Sequence, residues 1–143
     1  MTWEEEQQCG KDYIVACVVA TEVPPNAPEE EFKAVIDVMR NRAASDEFGT
    51  EHDLVQVVLQ RNQFSAVCRA QYWRDAMSGK WLKWHVAKCF DLIRQQWDDT
   101  TDGATHYYSP ISMEPKDSVP SWAGSMTRCE VEGVRDEYFR FYK

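Results

Sequence analysis

The chain is short of positive charge, of histidine and of long apolar runs, and each shortage excludes something. Its 143 residues carry 16 Lys+Arg against 24 Asp+Glu, for a formal net charge of −8. A protein that grips nucleic acid needs a basic face to neutralise phosphates, and the same deficit argues against docking on anionic lipid. The longest apolar run, IVACVVA at residues 14–20, falls far below the roughly 20 residues that span a bilayer. The three histidines (His52, His85 and His106) lie far apart and share no ligand spacing with a cysteine. No metal or other cofactor is therefore expected. The cysteines (Cys9, Cys17, Cys68, Cys89 and Cys129) are odd in number and form no CxxC pair, which favours inert thiols over a disulfide framework. The opening MTWEEEQQCGKD lacks the basic-then-apolar order of a secretory leader, so synthesis in the cytoplasm is expected, with no membrane anchor.

What remains is ample for a globular fold: 43% hydrophobic and 13% aromatic residues, with no repeat, low-complexity tract or Gly/Ser linker. One domain over residues 1–143 is the economical reading, with 1–11 as a peripheral segment. Residues 12–22 are apolar nearly all round and predict a central helix. A second helix starts at Pro28, with Glu29, Glu30 and Glu31 as a solvated first turn and Phe32, Val35, Ile36 and Met39 as its inner stripe, and runs to about Arg42. A third covers roughly 52–60 and a fourth 80–97; residues 66–78 are ambiguous. DDTTDG at 98–103 is a turn, ATHYYS alternates like a short strand, and the tail from Ile111 is irregular up to the aromatic YFRFYK. The sum is a mainly helical α+β fold with a small β element beside a cleft.

Glu22 stands out within this frame. It closes the apolar helix and lies over Val19, Val18, Val15 and Ile14. Val23 precedes a proline and is biased away from helical geometry, so the helix should end at Glu22. Apolar neighbours and the negative end of the helix dipole both disfavour a charged carboxylate there, and no Lys or Arg lies within eight residues to offset them. These influences raise its pKa toward what a general acid needs at neutral pH. Sequence position fixes the helix and leaves the rotamer open, so a solvent-facing Glu22 is the competing reading.

Further segments add weight: Asn41-Arg42, NQFSAV at 62–67, DGATHYYSP at 102–110 and PSWA at 120–123. Together with Glu22, their order and spacing resemble the SleB-type cell wall hydrolases, which include spore-cortex lytic enzymes and many phage lysins. The resemblance runs from about Ala16 to Tyr142, and GATHYY is its most specific piece. It implies a lysozyme-like catalytic domain that cleaves the glycan strand of peptidoglycan, usually as a lytic transglycosylase. In that chemistry one glutamate protonates the glycosidic oxygen, then serves as base while a hydroxyl of the sugar closes an anhydro ring. A single carboxylate suffices because the substrate supplies the nucleophile. Hydrolysing glycosidases generally need a second acid. The family glutamate falls on Glu22. Where the family commonly reads Glu-Ala-Arg-Gly-Glu, this chain reads Glu22-Val23-Pro24-Pro25-Asn26, so Asn26 replaces the second acid. Phe139 stands where the family has a histidine.

The resemblance further implies substrate contacts from Gln63, Ser65, Thr105, His106, Tyr107 and Tyr108. Alternation puts Thr105, Tyr107 and Ser109 on one face of the strand and His106 and Tyr108 on the other. Trp122, in a Pro-flanked loop, is the best sugar platform among the tryptophans, since Trp81, Trp84 and Trp97 have helical spacing. Asp102 is the candidate second acid for a hydrolytic muramidase, although an Asp-Gly pair is commonly a turn. Asn41 and Arg42 read as structural. The leading expectation is a monomeric phage endolysin that acts on the cell wall after release at lysis. Alternatives are a hydrolytic muramidase and a non-catalytic glycan-binding or virion protein of the same fold.

Overall fold

The computed structural model describes residues 1–60 and 83–143. The expectations for NQFSAV, including Gln63 and Ser65, and for Cys68, Trp73, Trp81 and residues 66–78 lie outside them. Four α-helices, three single-turn 3₁₀ helices and a small sheet make up the described part: α1 (Trp3–Glu22), α2 (Glu29–Ala44), α3 (Leu54–Val58) and α4 (Lys83–Ile93), with strands β1 (His106–Tyr108), β2 (Arg128–Cys129) and β3 (Arg140–Tyr142). The mainly helical α+β reading holds.

Helix α1 is the axis of the molecule. Val15 to Ala20 are buried on consecutive positions, because α2, α3 and α4 all pack against it. The helix starts earlier than residue 12. Thr2 and Glu5 form a capping box, with Thr2 Oγ1 accepting from Glu5 N at 3.1 Å and Glu5 Oε2 accepting from Thr2 N at 2.7 Å. The segment expected to be peripheral is thus helical from Trp3, while Trp3 itself is 68% exposed. At the other end Val23 is extended, at φ −115° and ψ 126°, and the helix stops at Glu22 as its Val-Pro-Pro sequel requires.

In α2 the expected stripe is buried, and Pro28 caps the helix from outside its first turn. Glu31 departs from the solvated helix start. It is 0% exposed and accepts from Arg135 Nε at 2.8 Å, Arg135 Nη2 at 3.0 Å and the Arg135 amide at 3.1 Å. Helix α3 is shorter than residues 52–60, because Glu51 and His52 adopt positive φ of 54° and 59° and cannot begin a helix. Asp53 caps it instead, with Oδ1 accepting from Val55 N at 2.9 Å.

Helix α4 ends at Ile93 and does not reach residue 97. Arg40 of α2 donates to the carbonyls of Ile93 and Gln95, at 3.0 and 2.8 Å. Trp97 lies under the same guanidinium, 4.2 Å from ring centre to Cζ, and its indole donates to Asp37 Oδ1 at 2.8 Å. A tertiary clasp has overridden the helical spacing of Trp97.

The tail holds more order than its composition announces. The strands run antiparallel in the order β1-β3-β2, with His106 opposite Tyr142, Tyr107 opposite Phe141 and Cys129 also opposite Phe141. Tyr107, Phe139 and Phe141 pack on the helical core, while Tyr108 and Tyr142 form a second cluster with Ala123, Trp122, Met113 and Met126.

Candidate active site

The C-terminus of α2 sets the position of β1. Asn41 Nδ2 donates to the Ala104 carbonyl at 2.9 Å and Arg42 Nε donates to the Thr105 carbonyl at 2.5 Å, so adjacent side chains hold adjacent carbonyls at the strand's entry. The Asn41-Arg42 pair is structural as its sequence suggests, but it is a clip on β1 and not a helix cap. The preceding turn is pinned twice more to α2. Asp37 accepts from Thr100 N and Thr100 Oγ1 at 2.9 and 2.7 Å. Asp99 accepts from Thr101 N, Gly103 N and Asn41 Nδ2. Burial alone would raise the Asp99 pKa, but these hydrogen bonds outweigh it and hold the carboxyl below the usual range.

Glu22, half-buried at the last position of α1, acts electrostatically on Tyr107 of β1. The Tyr107 phenol is pushed well above its ordinary value, first by burial and then by the Glu22 carboxylate, with Arg42 opposing. Burial also lowers the pKa of the Arg42 guanidinium, which Tyr107 partly offsets, and Arg42 stacks over Phe48 at 5.0 Å. The ends of α1 and α2 and the middle of β1 thus bring an acid, a cation and a phenol into one electrostatic neighbourhood.

The opposite face of β1 is aromatic. His106 lies 5.1 Å from Trp122 and 6.1 Å from Phe48, and Tyr108 meets Trp122 at 6.1 Å and Tyr142 at 6.0 Å. Trp122 also touches Tyr142 edge-on at 5.5 Å. Thr105 Oγ1 lies 3.0 Å from His106 Nδ1. Burial, then repulsion from Arg42, lowers the His106 pKa below the ordinary imidazole value, so this ring is neutral at physiological pH. The expected alternation holds at Tyr107 against His106 and Tyr108.

The other expected residues have different surroundings. Asp102 sits in the exposed turn at φ 55°, its side chain 82% exposed and paired to Lys143 Nζ at 2.8 Å. Asn26, at the position of the family's second acid, is exposed. Phe139, at the position of the family histidine, is a core residue that meets Tyr107 edge-on at 5.8 Å. A groove of about 420 Å³ opens against the earlier turns of α1 and is lined by Lys11, Asp12, His52 and Asp53 among others; it includes none of the expected site residues.

The model of the family described as Cell Wall Hydrolase matches residues 26–140. The chain belongs to the cell wall hydrolase family. That makes it a peptidoglycan-cleaving enzyme, with residues 26–140 spanning both the Asn41-Arg42 clip and the GATHYY strand. Among solved structures, the catalytic domain of the germination-specific lytic transglycosylase SleB from Bacillus anthracis superposes with a TM-score of 0.64 at 18% identity, over 93% of this chain and 94% of that one. The likeness establishes a shared fold, the mainly helical, lysozyme-like α+β architecture of that domain. No curated protein matches the chain. Sequence reasoning about this cell wall hydrolase passed over one residue at the site's edge, His85, whose position within an apolar helix gave no sign of its partners.

Proposed function

We propose that this cell wall hydrolase cleaves the bond between N-acetylmuramic acid and N-acetylglucosamine as a lytic transglycosylase, with Glu22 as both general acid and general base. The observation that carries the reading is the placement of Glu22. It ends α1 just after that helix's buried run Val15–Ala20, is half-buried itself, and acts electrostatically on Tyr107, which lies in the most family-specific segment of the chain. A carboxyl so placed is poorly solvated and can hold a proton for the glycosidic oxygen, then recover one from the sugar hydroxyl that attacks. Tyr107 keeps its own proton throughout and can donate a hydrogen bond to that carboxyl or to a sugar oxygen.

His106 and Trp122, both half-buried, supply the platform on which a pyranose ring packs, with Tyr108 buried against Trp122 and Tyr142 as its support and Thr105 as a polar neighbour. Gln63 and Ser65 complete the proposed substrate contacts. A one-carboxylate mechanism suits the chain better than hydrolysis, since Asp102 is solvated and held by Lys143 and Asn26 cannot ionise. Because the resemblance extends to phage lysins, an endolysin that reaches the wall at lysis is the proposed setting, and the proposed working form is the monomer.

The test compares wild type with Glu22→Gln on cells stripped of their outer membrane. Turbidity should fall with wild type and persist with the variant. Equal clearing by both would remove Glu22 from its role, and binding of sacculi without clearing by either would point to a glycan-binding protein. In cells whose inner membrane is permeabilised, expression of wild type should cause lysis and expression of Glu22→Gln should not; survival of both would refute the endolysin setting.

A further inference from the structure

Pro24 and Pro25 end α1 and also leave it incomplete. In a continuing helix the Ala20 carbonyl would accept from the amide of residue 24, but Pro24 has no N–H. A donor comes from α4 instead. His85 Nε2 lies 3.0 Å from the Ala20 carbonyl and 2.9 Å from the Val23 carbonyl. Both partners are acceptors, so Nε2 carries the ring proton and shares it between them. The ring is 0% exposed and meets Phe32 edge-on at 5.6 Å.

Its other nitrogen, Nδ1, is buried with no hydrogen-bond partner among the described residues. Burial lowers the imidazole pKa, the two backbone hydrogen bonds oppose this and nearby Lys88 adds to it; the ring is neutral. A buried ring with one nitrogen unsatisfied carries a desolvation cost that an apolar side chain would avoid. What offsets the cost is the bond that Nε2 makes.

The carbonyls it holds belong to Ala20 and Val23, one on each side of Glu22 in the chain. We propose that His85 is a positioning residue for the catalytic acid: its Nε2–H replaces the amide that Pro24 lacks and fixes the backbone from which Glu22 faces β1. The inference rests on the reading of Glu22 as the acid. The Val-Pro-Pro sequence ends the helix at the right residue, and His85 keeps the severed end from fraying.

Two substitutions separate positioning from packing. His85→Gln sets an amide N–H close to the place of the imidazole Nε2, whereas His85→Leu fills the space with no donor. In His85→Leu, kcat should fall by about tenfold or more with KM within about threefold, since misplacing a catalytic group acts mainly on the chemical step. The alkaline limb of its pH–rate profile should also be displaced, and His85→Gln should restore both. A loss of folded enzyme scales the whole profile and leaves the limb in place, so an unmoved limb overturns the proposal. Glu22→Gln is measured beside them. An active Glu22→Gln refutes the acid itself, whereas an inactive Glu22→Gln with a His85→Leu that behaves as wild type refutes only the clamp. If His85→Leu does not fold, nitrogen NMR of the wild-type ring decides. A neutral, exchange-protected Nε2–H supports the clamp, and an Nδ1–H tautomer or an imidazolium at neutral pH overturns it.

Discussion

The two faces of strand β1 differ although the residues alternate along three positions. Tyr107 points to the helices, where it meets Phe139 and Phe141 and feels both Glu22 and Arg42. His106 and Tyr108 point the other way, into a cluster of rings with Trp122 and Tyr142. The first face carries the charges; on the second, Tyr108 and Tyr142 are buried and leave His106 and Trp122 half-buried beside them. In the proposed reaction they divide the work: the helical face handles protons, and the aromatic face holds sugar. If so, substitutions on the first should act on kcat and those on the second on KM.

The largest effect is expected at Glu22. Glu22→Gln keeps the shape and removes the proton, so kcat should fall by about 10²–10⁴-fold, as measured by release of soluble fragments from sacculi. Next comes the clip on the strand. Arg42→Met releases the Thr105 carbonyl and removes a cation from the neighbourhood of Tyr107, so kcat should drop by up to about 10²-fold through misplacement of β1. A KM effect alone would show that Arg42 belongs to binding. On the aromatic face, Trp122→Ala should raise KM by about tenfold, the equivalent of about 1.4 kcal/mol, with kcat little changed; a reversed split would break the division of labour. Asp102→Asn should be the smallest, within about twofold in rate, because an exposed ion pair contributes little. A large loss there would instead revive the hydrolytic mechanism.

Stability offers a separate check on the turn that carries β1. Asp99 has a folded pKa below its unfolded one, so its contribution is present above the unfolded value of about 3.9 and is lost as pH falls through the folded value. The stability gap between wild type and Asp99→Asn should therefore be widest near neutrality and close in acid, read by denaturant unfolding at several pH values. A gap that does not change with pH would mean that Asp99 holds the turn by geometry alone.

Local rules carried much of this architecture. The Val-Pro-Pro sequence stops α1 at Glu22, the apolar stripe of α2 lies inward, and the alternation in GATHYY puts Tyr107 and its neighbours on opposite faces. Thr2 and Glu5 spell a capping box that extends α1 to Trp3, a local signal that composition obscured behind three consecutive glutamates. Other features depend on partners distant in the chain and have no local signature. Glu31 is buried because Arg135 arrives 104 residues later. Helix α4 stops at Ile93, where Arg40 takes the carbonyl of its last residue and that of Gln95 just beyond. His85 reads as one more buried ring until Pro24 leaves a carbonyl for it to satisfy. Strands β2 and β3 are too short for periodicity to reveal and exist because β1 gives β3 an edge to pair with.

The central claim, that one carboxyl with no second acid breaks the glycan strand, is tested most directly by mass spectrometry of the fragments released from purified sacculi. Wild type should yield anhydro-muramic ends, and Glu22→Gln should release almost nothing. Reducing ends from wild type, or anhydro ends released equally well by Glu22→Gln, would contradict it.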